Sequence, residues 1–235
     1  MVREFINVLP SRFENNTTIR DFVLEIERFS LELTCLIAFD ERLNSFSEEE
    51  RDPNSRTSKL IKASEMSNDT VLPTDQGLQL WRFFETPTYK ILKKGQEYKE
   101  QIVIEFIQKK AHQKERGNSL LDQYLSNPNI HIKDIAGMSA DLLLGGIHTT
   151  SFSTSFALYQ IARNERVQNL LYEEAMKVLP KFEDNITPQI MNSEISYTRA
   201  VLKETFRLNP VSIGVGRILN HDTILGGYLV PKNVS

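Results

Sequence analysis

One cysteine, Cys35, stands in the 235 residues, so the chain can form no internal disulfide. That fits a reducing compartment. No run approaches the ~18 consecutive apolar residues that would mark a membrane-spanning helix. Basic charge is not in excess: 28 Lys and Arg face 31 Asp and Glu, for a net charge of -3. A nucleic-acid partner therefore has no bulk electrostatic footprint. Internal repeats and low-complexity tracts are absent. The opening Met1-Val2-Arg3-Glu4-Phe5 has neither the apolar centre of a signal peptide nor an Arg/Ser-rich transit pattern. Any such segment of the whole protein is expected upstream.

What remains is ordinary for a soluble globular chain, with 40% hydrophobic and 25% charged residues. The length allows one large domain or two small ones. Helical periodicity dominates. Phe22, Ile26, Phe29, Leu33 and Leu36 form one apolar stripe, with a start signal at Thr18 and Asp21. Cys35 lies on this helix and reads as a small core residue. Residues 44–57, polar and containing Pro53, read as a solvated loop. A short helix is expected over 58–68, then an aromatic stretch with Trp81, Phe83 and Phe84. A long helix is expected from Thr88 to about Lys114, with Ile91, Tyr98, Ile102 and Phe106 on its apolar side.

After the break at Asn127-Pro128-Asn129, a helical pattern runs from about Lys133 to Asn164. At 1.5 Å per residue that is roughly 45 Å, long enough for a central element. Another helix is expected over Arg166–Val178. The next is expected to start with Ser193 or Asn192 as cap and to end at Pro210. Val211–Leu219 and Thr223–Val230 are β-rich, with Asp222 and Gly226-Gly227 as turn residues. The reading is one mainly α unit, 1–235, with a small C-terminal β region.

Two motifs carry chemistry. Gly145 and Gly146 fall inside the long helix, where each costs about 1 kcal/mol relative to Ala. Hydroxyl residues from Thr149 to Ser155 follow, and these can bond back to i−4 carbonyls. The stretch has two readings: a local opening that admits a ligand or water, or a notch for close helix packing. His148 sits within it. His112, His131 and His221 show no metal-ligand spacing with His148 and read as surface residues. Glu204 and Arg207 form the second motif, at i and i+3 on one helix face. Alone, such a pair is usually a surface salt bridge of small worth.

Together the motifs resemble the cytochrome P450 family. Gly145, Gly146, Thr149 and Thr150 match its oxygen-activating helix, whose pattern is Ala/Gly-Gly-x-Asp/Glu-Thr-Thr/Ser. His148 departs from that pattern, which has a carboxylate there. Tyr197 to Pro210 resembles the family's Glu-x-x-Arg helix, and Val211 to Arg217 its pocket-lining strand. The resemblance implies a P450-like helical fold, incomplete here, with haem as cofactor and O2 as co-substrate. It implies that Thr149 bonds iron-bound dioxygen and ordered water. His148 is a relay candidate, since imidazole titrates near neutral pH. Gly145 and Gly146 would line the cofactor, and Arg217 would bind a haem propionate, matching a planar fork to a carboxylate. Glu204 and Arg207 would form a buried structural charge network. Leu144, Ile147, Val211, Ile213 and Val215 would line an apolar substrate pocket.

Trp81 to Tyr89 resembles the mitochondrial type of the family. That implies a ferredoxin-type electron donor docking at Arg199 and Lys203, and peripheral membrane association on the matrix side of the inner membrane. The endoplasmic reticulum membrane is the alternative location. Asp141 to Ser151 is further similar to arthropod steroid hydroxylases, implying a small lipophilic substrate such as an ecdysteroid precursor. The resemblance runs from about Phe5 to Pro231 and corresponds to the middle half of a family member. The thiolate ligand is expected outside it, and Cys35, on an early helix, cannot replace it. The isolated chain is expected to be inactive and poorly soluble. A catalytically dead module that only binds ferredoxin or another protein is the competing expectation.

Overall fold

The structure, a computed structural model, describes residues 1–13, 18–75, 78–112, 117–212, 214 and 217–233. It is mainly α. Helices α1 (Val2–Val8), α2 (Phe22–Phe39), α3 (Arg56–Asp75), α4 (Pro87–Ala111), α5 (Leu120–Ser126), α6 (Ile132–Ala162), α7 (Glu165–Val178) and α8 (Ser196–Leu208) precede strands β1 (Thr223–Leu225) and β2 (Tyr228–Val230). The strands pair antiparallel with Ile224 opposite Leu229. Gly226 and Gly227 both have positive φ, 57° and 87°, the backbone a two-residue hairpin turn requires. Residues 211, 212, 214 and 217–219 carry no strand. Ile213 and Val215 lie outside the described residues.

The chain forms two compact units, Met1–Leu158 and Tyr159–Ser235. In the first, Leu31, Cys35, Phe39, Leu60, Val103, Phe106, Leu121, Leu143 and Ile147 build one core from α2, α3, α4, α5 and α6. Phe39 stacks on Phe106 with ring centroids 4.7 Å apart. Each large apolar side chain so buried contributes roughly 1.5–3 kcal/mol. A smaller cluster joins Phe5 of α1, Ile26 of α2 and Phe46. Phe46 and Ser45 are buried, so this part of the 44–57 segment is packed rather than solvated.

Helix α2 is capped by Asp21, which accepts from Leu24 N at 3.0 Å. Its expected stripe is only partly right. Leu36 is exposed, while Glu25, Glu27, Arg28 and Glu32 are buried. Neighbouring elements satisfy these charges. Arg51 reaches Glu25 at 3.0 Å, and Arg42 reaches Glu32 at 2.8 Å. Arg28 donates to the Glu50 carbonyl at 2.7 Å. A central helix can therefore carry charge inward, because each group finds a partner.

Helix α3 runs well beyond the expected 58–68. Its polar residues are not loop signals: Ser67 and Thr70 are buried and bond back to the carbonyls of Ala63 and Met66. Helix α4 starts at Pro87, with Thr86 accepting from Tyr89 N at 3.2 Å. Helix α5 opens on a reciprocal capping box between Ser119 and Asp122. Among the described residues, no helix is long and apolar enough to cross a membrane.

Candidate functional site

Helix α6 is continuous from Ile132 to Ala162, so the glycines do not open it. The Thr149 hydroxyl donates to the Gly145 carbonyl, the i−4 back-bond its residue type allows. The two glycines face different surroundings. A Cβ on Gly145 would meet nothing within 4 Å, whereas one on Gly146 would lie 2.4 Å from Thr34 Oγ1. Gly146 is therefore the packing notch, admitting Thr34 of α2. Gly145 and Thr149 lie on an exposed strip with Asp141.

His148 points away from that strip. It is 6% exposed, and its Nδ1 lies 2.8 Å from Glu27 Oε1 of α2. Its ring stacks on Phe152 at 6.1 Å. His148 and Thr149 are adjacent in sequence but occupy different faces of the helix. Ile147, expected in a substrate pocket, is fully buried in the main core and faces the packing instead. Leu144 is half-buried beside the exposed strip.

A second unexpected polar group lies on α4. Lys99 is fully buried, and its Nζ has no hydrogen-bond partner. Burial lowers its pKa to about 8, with the charges of Asp141 and Glu100 partly offsetting. Charged residues at buried positions of α2 and α4 were the available sequence signal for Glu27 and Lys99.

In the second unit, Glu204 and Arg207 form a bidentate pair at 2.6 and 2.7 Å. Hydrogen bonds from Arg207 hold the Glu204 carboxyl below its ordinary range, and Glu204 raises Arg207 in turn. Both side chains are exposed among the described residues. Arg199 donates to the Met191 carbonyl, and Lys203 stands one turn further along the exposed side of α8. A groove of about 360 Å³ includes Gln160, Val167, Tyr197, Val201, Glu204 and Leu208. Val211 and Arg217 are exposed and outside regular structure.

Helix α8 is not capped by Ser193 or Asn192. Its cap position is Ile195, which offers no side-chain acceptor, and Glu174 of α7 acts instead. Glu174 accepts from Tyr197 N at 2.7 Å, Thr198 N at 2.8 Å and the Thr198 hydroxyl at 2.7 Å. Desolvation raises the Glu174 pKa, but the bonds from Thr198 and Tyr197 outweigh it, for a net lowering.

The cytochrome P450 family model matches residues 1–235. The chain belongs to the cytochrome P450 family. It is 46% identical, over its whole length, to cytochrome P450 302a1, mitochondrial, of Drosophila melanogaster, covering 48% of that protein. It is 30% identical, again over its whole length, to the mitochondrial cholesterol side-chain cleavage enzyme of Mesocricetus auratus, covering 46% of it. The chain thus spans about half the length of the curated relatives it matches. Among solved structures, the cytochrome P450DA heme domain superposes with a TM-score of 0.69 at 20% identity, over 98% of this chain and 50% of that one. That likeness concerns the fold.

Haem is the family's cofactor, and the residues present fit it in part. The exposed Gly145–Thr149 strip, bare of a Cβ at Gly145, offers a surface against which a flat group can lie. The axial thiolate that P450s use is not offered by Cys35. That side chain is fully enclosed, and burial pushes its thiol up, away from the ligating thiolate form. Among the described residues, no group of three or more His, Cys, Asp or Glu could hold a metal ion.

Proposed function

We propose that the whole protein is a mitochondrial haem-thiolate monooxygenase that hydroxylates a steroid-like lipid, using O2 and electrons from a ferredoxin. The observation that carries this reading is the 46% identity to a mitochondrial P450 across the entire chain, both motif helices included. The mitochondrial name of the cholesterol side-chain cleavage relative supports the steroid class and the location. The finest form of the proposal is an ecdysteroid 22-hydroxylase, peripherally bound on the matrix side of the inner membrane.

Haem, when bound, supplies the oxygen-activating chemistry. The residues of this chain do the rest. Thr149 holds an exchangeable proton at Oγ1, parked on the Gly145 carbonyl. Gly145 keeps the helix surface low enough for a flat group to approach. His148 is the proton-relay candidate, with the Glu27 carboxylate at its Nδ1. Leu144, half-buried beside the exposed Gly145–Thr149 strip, would border the apolar substrate and exclude water. Arg217 would hold a propionate by charge-assisted hydrogen bonds. Glu204 and Arg207 would brace the cofactor side of the fold, and Arg199 and Lys203 would meet the acidic ferredoxin.

The test is reconstitution of the haem-loaded whole protein with a ferredoxin, its reductase and a panel of sterols. The expected product carries one added oxygen atom from O2. Ferredoxin binding without oxygen insertion into any sterol would replace this reading with that of a binding module.

A further inference from the structure

His148 and Glu27 are both buried, yet they come from helices far apart in sequence. A carboxylate beside imidazole decides which ring nitrogen carries the proton. With Glu27 Oε1 2.8 Å from Nδ1, the neutral ring must place its proton on Nδ1 to satisfy the contact. The other nitrogen, Nε2, is buried and has no hydrogen-bond partner. Buried polar atoms of native proteins are rarely left unpaired. Ser30 is also fully buried with an unpartnered hydroxyl. It lies on α2 between Glu27 and Thr34, and both of those residues touch α6.

We propose that Glu27 is the positioning residue for His148: it fixes the Nδ1–H tautomer and presents Nε2 as a buried acceptor for an internal water. This rests on the monooxygenase reading for its use, and on geometry for its existence. The proton balance is simple. Nε2 can take a proton passed through that water, giving an imidazolium beside the Glu27 carboxylate. The same proton leaves from Nε2, and no heavy-atom bond changes. Glu27 acts through the imidazole and not on substrate, the role a buried carboxylate plays behind a catalytic histidine. The carboxylate usual at position 148 in the family is thereby replaced by an imidazole with a carboxylate behind it.

The experiment is long-range 1H–15N correlation NMR on protein labelled at histidine imidazole nitrogens, with His148→Gln identifying the resonance among the four histidines. The wild type is expected to show a protonated Nδ1 and a bare Nε2. Glu27→Gln, which keeps an acceptor, is expected to retain that tautomer. Glu27→Leu, which removes it, is expected to lose the Nδ1–H correlation. A wild-type ring protonated at Nε2, or a tautomer unchanged in Glu27→Leu, would overturn the proposal. If Glu27→Leu does not fold, the wild-type tautomer alone decides. In turnover, Glu27→Leu is expected to lower product formed per electron pair by about 100-fold, the lower range for a lost acid–base group. Substrate affinity should be unchanged. Absence of turnover in the wild type would refute the monooxygenase reading and leave the tautomer result standing.

Discussion

Alanine placed at Gly145 and at Gly146 should have unequal effects on stability, favourable only at Gly145. Both positions are interior to α6, so either change gains about 1 kcal/mol of helix propensity. At Gly145 nothing opposes the gain, because the new Cβ has no neighbour within 4 Å. At Gly146 the Cβ would lie 2.4 Å from Thr34 Oγ1, 2.8 Å from Cγ2 and 3.2 Å from Cβ. Rotating Thr34 does not relieve this, since a β-branched side chain keeps two heavy atoms on Cβ. Its hydroxyl is also engaged with the Ser30 carbonyl at 2.8 Å. Helices α2 and α6 must separate, and overpacking of this kind costs about 1–3 kcal/mol. The propensity gain is common to both variants, so the gap between them isolates that strain. Urea unfolding is the assay, with unchanged m-values required for the comparison. Gly145→Ala should raise the midpoint, and Gly146→Ala should fall below it by the equivalent of about 1–3 kcal/mol. Thr34→Ala combined with Gly146→Ala should recover most of the gap, appearing as a coupling energy of about 1 kcal/mol or more. Equal midpoints for the two single variants, or no coupling with Thr34, would refute the notch.

Four further outcomes follow from the geometry. Glu174→Ala should cost about 0.5–2 kcal/mol, as loss of a helix cap does. Because the Glu174 pKa is lowered on folding, its contribution is present above the unfolded carboxyl range and disappears as pH falls through the folded value, so acid unfolding curves of wild type and variant should converge. Lys99→Met should stabilise by roughly 1–3 kcal/mol by removing a buried unsatisfied donor. It should also abolish a rise in wild-type stability above pH 8, where the folded state releases the Lys99 proton before the unfolded state does. Lys110→Met should cost about 3–5 kcal/mol in calorimetry by stranding Asp122, its buried partner at 2.9 Å. Reversing Arg199 and Lys203 to Glu should raise the ferredoxin KM in a salt-dependent way while leaving the haem spectrum unchanged.

The long helices were legible because their apolar residues recur with the helical period. That holds for α4, α6 and α7, and the Gly226-Gly227 turn marked the hairpin. Other features rest on interactions that periodicity does not count. Helix α3 was read short because buried Ser67 and Thr70, which satisfy themselves on their own helix, look like loop residues in a string of letters. The charged interior of α2 was missed because its partners, among them Arg42, Arg51 and His148, come from other segments. At the candidate site the residue types were visible and their directions were not. Gly145 and Gly146 look equivalent in sequence, yet one is open and the other meets Thr34. His148 was readable as an imidazole in a hydroxyl-rich turn. Its orientation toward α2 depends on Glu27, which no local pattern announces.

The single cysteine gives the first unit a built-in clock. Cys35 has no exposed surface and sits in the main core with residues from α2 to α6. A thiol reagent can reach it only when that packing opens, so the labelling rate measures the free energy of opening. Within this chain no second thiol competes for the reagent. A bound ligand that tightens α2 against α6 should slow the reaction, and one that leaves them alone should not. The same residue that cannot ligate iron would thus report, without any introduced probe, which compounds reach the helix that carries Gly145 and Thr149.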